Sequence, residues 1–467
     1  MTQDYGEFET RELPPPPHWK DALGVGVVIV GLSIGTGELI MWPHLVTKFG
    51  FGVLWAALLG ITFQYFINQE VARHSIATGE SFFTSTSRML KWFAPFWIIS
   101  SVMLYVWPGW ASTIGTILKE LFGFGNYISW AFVSLLGVLV LTFSGKIAYQ
   151  ILEKTLKIIV PTFFLLLLVS SFYNVSTTDF SGMFKGILNF GFFPKGIDMA
   201  VFLGAIVFAG AGGMLNLCTS LWYRDKQTGM GKYVGRIINP ITGKNESVSI
   251  TSYRFDINDE NISRWKKWMR FIRIDQGIIF WFLGLTTLLL LSVNAYATLT
   301  PKGLVPDGLN IAVVQAHIFG DSMGPIGANV FLIMAFLMLF SVMWTVLDAF
   351  TRIVSDIIYV NSHIGPFKKY LTLFKEIPAS KLYYSSIVIL VFTSALLLPM
   401  QQPLVLLTIS AALGGITMGI YTPVLIYLNN TKLEKELRPG IFTNIMMGGA
   451  TVFYWYFIAY LLLSYIK

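Results

Sequence analysis

One cysteine, Cys218, stands alone in 467 residues, which excludes an intramolecular disulfide and a cysteine cluster for metal. It reads as a small apolar packing residue. Charge is scarce as well: Asp, Glu, Lys and Arg make up 12% of the chain, far below the share of an ordinary soluble domain. Catalytic signatures are missing too. No His-Glu-x-x-His, Gly-x-Ser-x-Gly or Gly-x-x-x-x-Gly-Lys occurs, so neither an enzyme nor nucleotide-driven pumping within this chain is expected, and no cofactor is implied. His18, His74, His317 and His363 fall in tails or loops and form no ligand set.

What is present is apolar. With 54% hydrophobic residues and a mean hydropathy of +0.64, the chain reads as a polytopic, all-α membrane protein whose main partner is the lipid bilayer. A net charge of +8 needs no nucleic acid to explain it, because Lys and Arg gather in loops that the positive-inside rule assigns to the cytosol. The first 22 residues hold Glu7, Glu9, Glu12 and Pro14 to Pro17. They do not resemble a cleavable signal and read as a disordered cytosolic tail.

Eleven spans are predicted, at about 23–45, 50–71, 93–118, 127–144, 158–174, 196–222, 271–293, 328–358, 383–399, 403–428 and 441–465. The predicted cytosolic connections carry Arg73, Arg88 and Lys91, then Lys146, Lys154 and Lys157, the long 223–270 segment, Lys368 to Lys381, and Lys432 to Arg438. That bias puts the N-terminus in the cytosol and the C-terminus outside the cell membrane. Within 223–270, the β-prone stretch Ser247 to Phe255 suggests a small hairpin. Arg264-Trp265-Lys266-Lys267-Trp268 resembles an interfacial anchor, and the Asn-x-Ser matches at Asn245 and Asn261 would lie inside the cell.

Span one is the peculiar one. Its apolar run is interrupted by Gly-Leu-Ser-Ile-Gly-Thr-Gly-Glu, Gly31 to Glu38. Each glycine weakens the helix by about 1 kcal/mol, and a carboxylate near mid-membrane costs about 2.5–3.5 kcal/mol on insertion scales. Lipid tolerates an unwound segment only where it is buried in protein or lines a wet cavity. An ion or substrate site with Glu38 as its fixed charge is therefore expected, a packed kink with a paired or protonated Glu38 being the alternative. Span six repeats the feature at Phe208-Ala-Gly-Ala-Gly-Gly-Met-Leu-Asn216, followed by Thr219 and Ser220.

Two interrupted spans, each opening a set of five, predict two inverted five-helix repeats, at 23–174 and 175–428. An eleventh helix follows within 429–467. A cation would then sit against Glu38, Asn216, Thr219 and carbonyls near Gly35 and Gly212. In span eight, Asp348, Arg352 and Asp356 follow at i, i+4 and i+8 on one face, either an ion-pair ladder or part of a gate. Glu70 with Arg73, and Asp275 beside Arg270 and Arg273, read as solvated or paired boundaries. His44, after Trp42-Pro43, reads as a hydrogen-bonded packing residue, with a place on the ion path as the sharper possibility.

The order Lys48-Phe49-Gly50-Phe51-Gly52-Val53-Leu54-Trp55, the Gln64 region, Ala72-Arg73 and Ala77-Thr78-Gly79 resembles the Nramp family of divalent-metal transporters. Ile114-Gly115-Thr116, Ile274-Asp275 and Asp348-Ala349-Phe350 are weaker echoes. The resemblance implies a LeuT-like fold, a divalent cation as substrate, and alternating access. The departures fall on the chemistry. Gly35-Thr36-Gly37-Glu38 stands where the family has Asp-Pro-Gly-Asn, Gly212-Gly213-Met214 replaces Met-Pro-His, and the acidic residues of span three are replaced around Gly109 and Ser112. Against the family pattern, proton coupling loses its groups. An oxygen-only set favours magnesium or manganese over thiophilic metals. A small organic cation or amino acid is the alternative substrate, and a non-transporting membrane sensor the alternative of a different class.

Overall fold

The computed structural model describes residues 5–16, 25–144, 148–237 and 248–466. Of the residues singled out in the sequence, Pro17, His18, Lys146, Asn245 and Ser247 lie outside them, as do the first two positions of predicted span one. Among the described residues, eight helices are long and apolar enough to cross a membrane. Apolar side chains stand outward on the predicted lipid face, with Phe172 87% and Leu396 79% exposed, as a bilayer allows and water does not.

The other three predicted spans are those with interruptions. Span one runs as Val25–Ser33, Ile34–Met41 and Trp42–Phe49, and its middle piece is a π-helix rather than an unwound segment. A π turn pairs each N–H with the carbonyl five residues back. The glycines therefore widen the helix without unwinding it, which corrects the expectation of an unwound segment here. Span three divides into Phe93–Tyr105 and Gly109–Phe122, a break the sequence reading missed. Pro108 lacks an amide hydrogen, and it restricts Trp107 before it. Span six is interrupted as expected, into Met199–Val207 and Leu215–Asp225. Gly212 and Gly213 adopt φ of 73° and 54°, the left-handed region that other residues avoid.

Span seven contains a second π segment, Asp275–Leu283. Span eight proper begins after Gly324 and Pro325, where a φ of 65° separates a short preceding helical stretch. Spans two, four, five, nine, ten and eleven are the helices Trp55–Thr78, Tyr127–Ser144, Ala148–Asn174, Ala379–Leu397, Pro403–Thr431 and Ile441–Ile466.

Residues 5–16 form a strap rather than a loose tail. Glu9–Thr10 pairs in parallel with Tyr253–Arg254, so the β-prone stretch of the long connection joins the N-terminal strap. Leu13 and Tyr5 are buried. Tyr5 donates to Asn361 Oδ1 at 2.7 Å, and Trp268 Nε1 donates to the Pro14 carbonyl at 2.8 Å. Arg264 and Arg88 donate to the carbonyls of Leu13 and Gly6, each at 2.8 Å. Trp265 and Trp268 are 4% and 2% exposed. They are therefore not headgroup anchors: their rings are committed to the strap and the connection it crosses.

Candidate functional site

The two interruptions meet. A Cβ placed on Gly37 would lie 1.8 Å from the carbonyl oxygen of Phe208, so the π segment of span one presses directly on the opening of span six. Glu38, the next residue, is fully buried. Gly35 faces elsewhere: its Cβ would meet Val342 of span eight at 2.2 Å. The Gly35 backbone is thus packed closely against span eight.

Span six is held open by side chains from two neighbours. Gln64 of span two accepts from the Gly212 amide at 2.8 Å and donates to the Val207 carbonyl at 2.9 Å. Tyr421 of span ten donates to the Gly213 carbonyl at 3.1 Å. Backbone groups that the break removes from helical pairing thus recover partners without water. Asn216 donates Nδ2 to Tyr421 Oη at 3.2 Å and to Gln64 Oε1 at 3.3 Å. Its Oδ1 is buried with no donor among the described residues, which leaves an oxygen available to a cation. Thr219 donates back to the Asn216 carbonyl at 2.6 Å, one turn further along the same helix. The sulfur of Met214 faces span three, where Ser101 donates to it at 3.7 Å.

Toward the predicted cytosolic end the charges form a closed network. Arg352 pairs with Asp348 at 2.7 Å and with Asp225, and Arg224 pairs with Asp356 at 2.5 Å. The three charges of span eight therefore do not neutralise one another in a row. Asp356 is taken by Arg224, and Asp225 completes the set. Trp222 Nε1 and Tyr383 Oη also donate to Asp348, at 3.0 and 2.5 Å. Two arginines against three aspartates, all buried, weld the second half of span six to span eight. The sequence placed Asp348, Arg352 and Asp356 on one face. Arg224 and Asp225 were invisible as partners because the contact spans more than 120 residues.

The remaining polar groups are placed as follows. Glu70 and Arg73 are paired at 2.9 Å and buried rather than solvated, with Asn429 donating to Glu70 at 2.8 Å. Asp275 is buried and accepts from the Gly26 amide at 2.8 Å, anchoring the start of span one to span seven. His44 donates Nδ1–H to the Pro306 carbonyl at 2.7 Å. His74, assigned by sequence to a loop, lies in span two and is buried. Among the described residues no group of three His, Cys, Asp or Glu side chains is arranged to hold a metal ion.

No protein-family model matches the chain, and no curated protein matches it. Solved structures do. The chain superposes on a manganese transporter of Eremococcus coleocola, crystallised with an aromatic bis-isothiourea compound, with a TM-score of 0.65 and 11% identity over 98% of this chain and 89% of that one. It also superposes on Mhp1, a nucleobase-cation-symport-1 family transporter in a closed conformation with bromovinylhydantoin bound. There the TM-score is 0.56 and the identity 12%, over 96% and 95% of the two chains. At such identities the likeness speaks of architecture: the chain is an all-α, multi-pass membrane protein with a LeuT-like fold.

Proposed function

We propose that this protein is a secondary transporter that carries a small cation across the cell membrane by alternating access, with Glu38 as the anionic group that meets it. The observation that carries this is the placement of Glu38. It is fully buried, beside the point where Gly37 touches the Phe208 carbonyl. Both helices are irregular there, and irregular backbone at such depth is characteristic of transporter sites. Asn216 Oδ1 contributes an acceptor with no donor of its own among the described residues. The architecture is that of solved transporters, one of manganese and one of the nucleobase-cation-symport-1 family.

The cation we assign is divalent and hard, magnesium or manganese. The candidate donors, the Glu38 carboxylate and Asn216 Oδ1, are oxygens, and the Met214 sulfur is turned toward Ser101; oxygen donors suit partly hydrated hard ions. Repeats at 23–174 and 175–428, a last helix in 429–467 and a cytosolic N-terminus complete the proposal. One observation favours a different cargo. Without a cluster of acidic or imidazole groups among the described residues, a divalent ion brings two charges to one carboxylate, whereas an organic ammonium would match it.

Uptake into liposomes separates these. Glu38→Gln abolishes saturable uptake if the proposal holds, and unchanged uptake of the same metal rejects it. Block by an organic cation, with no effect of magnesium, manganese, calcium or cadmium, assigns the organic cargo instead. Binding without flux identifies a sensor.

A further inference from the structure

Away from Glu38, the hydrogen-bond pattern around His74 is short of one proton. His74 is 3% exposed, near the end of span two that is predicted to face the cytosol. Its Nε2 lies 2.7 Å from Ser85 Oγ, and Ser85 donates to Glu80 Oε2 at 2.6 Å. Glu80 lies in the turn after span two. Burial alone would raise its carboxyl, but Arg88 and the hydroxyls of Ser252 and Ser85 together hold it below its ordinary value. It is therefore an ionised acceptor, so the single hydroxyl hydrogen of Ser85 points at Glu80 and His74 Nε2 must carry a hydrogen of its own.

That leaves Nδ1. In a neutral imidazole bearing hydrogen on Nε2, Nδ1 is a bare acceptor. It is buried and finds no donor among the described residues. The side-chain amide of Asn429, in span ten, lies within reach of the ring, but it cannot help as a donor. Both of its hydrogens are spent on Glu70, at 2.9 Å to the carbonyl and 2.8 Å to the carboxylate. Its Oδ1 is also buried with no donor among the described residues. Two acceptors thus share one pocket. A hydrogen on Nδ1 would satisfy both, and the imidazolium would then donate to Ser85 on one side and to Asn429 on the other.

From this geometry we infer that His74 is a proton-binding site of the transport cycle, separate from Glu38, which is occupied when this end of the protein is closed. The ring lines a cavity of about 570 Å³, together with Glu80, Ser85, Arg88, Tyr427 and Lys432, and Phe8 of the strap forms part of its wall. A proton arriving from cavity water binds Nδ1, and release returns it by the same route; no other bond changes. The charged groups around the ring are Glu80 and Arg88 from the turn and short helix beyond span two, and Lys432 from the end of span ten. On its own span the Glu70–Arg73 pair is joined to it through Asn429. Burial is the largest influence on the ring and opposes the imidazolium, Glu80 and then Asn429 favour it, and Arg88 opposes it. Opening this end would part span ten and the strap from span two, removing Asn429 and releasing the proton.

This rests on the chain being a transporter, so the test has one arm that needs no transport. The full-length protein in nanodiscs, with nitrogen-15-labelled histidine, gives the ring state of His74 by NMR, its signals assigned by their loss in His74→Gln. The expected result is a titration to the imidazolium in the folded protein, displaced to lower pH in Ser85→Ala. A ring that stays neutral until the protein unfolds overturns the proposal. In the second arm, liposome uptake is measured against pH. Uptake coupled to one proton changes about tenfold per pH unit on the limiting side of its midpoint. His74→Gln flattens that slope while uptake itself persists; an unchanged slope overturns the proposal. Absence of uptake by the wild type would sink the transporter assignment and leave the NMR arm to decide on His74.

Discussion

The carbonyl oxygen of Phe208 and the α-carbon of Gly37 are in such close contact that no side chain fits between them, since a Cβ would come within 1.8 Å of the oxygen. Backbone cannot rotate out of the way as a side chain can. Gly37→Ala should push spans one and six apart and cost about 1–3 kcal/mol, the usual range for overpacking, with loss of uptake. Gly31→Ala is the control, because its Cβ meets the flexible end of Leu156. Thermal unfolding in detergent should rank Gly37→Ala well below Gly31→Ala. Equal stabilities would mean that the crossing is looser than its geometry indicates.

Gln64 is the clamp on span six. Replacing it with leucine keeps the bulk but strands the Gly212 amide and the Val207 carbonyl, both held by Gln64. A buried polar group left without a partner costs about 1–3 kcal/mol. Gln64→Leu should lower the unfolding temperature and reduce uptake, although Gln64 itself holds no charge. A variant as stable and as active as the wild type would show that the break supports itself.

In the buried network, Arg352 balances Asp348 and Asp225 together. Arg352→Met leaves both carboxylates in an apolar interior, and breaking a buried pair from one side costs about 3–5 kcal/mol. Chemical unfolding should show that loss with little dependence on salt, since screening acts weakly on buried charges. Substituting Asp225 and Asp348 as well should recover part of it. If the triple variant is no better than Arg352→Met, the penalty does not come from unpaired charge.

Glu80 makes stability depend on acid. Its carboxyl is held below its ordinary value of 4.5 in the folded protein. Such a group stabilises the fold fully above its unfolded value and loses that contribution as pH falls through the lower folded one. Unfolding temperatures should therefore decline below about pH 4.5. The decline should be shallower in Glu80→Gln, which is less stable at neutral pH. Parallel curves for the two proteins would deny Glu80 this role.

Much of the architecture was legible before any coordinates. Eleven apolar segments, glycines at the same place in spans one and six, and the first hairpin's likeness to Nramp sequences were enough to expect a LeuT-like fold. The break in span six was legible because Gly212 and Gly213 are cheap in the left-handed region. The π form of span one was not, since glycine permits a wide turn and an unwound one alike. Which of them forms depends on what packs alongside, here Phe208 against Gly37 and Val342 against Gly35. Proline 108 was a local signal for the break in span three that the apolar run concealed.

The strap and the polar clusters belonged to a different category. Tyr5 with Asn361, Trp268 with Pro14, Gln64 with Gly212 and Arg224 with Asp356 each join residues more than 100 positions apart. Nothing in the local pattern around any of them announces its partner. Sequence alone determined that the chain enters a bilayer and where its helices are weakest, because those follow from short-range hydropathy and backbone cost. Tertiary structure decided which oxygens at those weak points remain available, which charges cancel, and that His74 lies in a buried acceptor pocket rather than a loop. Those depend on distances between helices, and local sequence does not encode such distances.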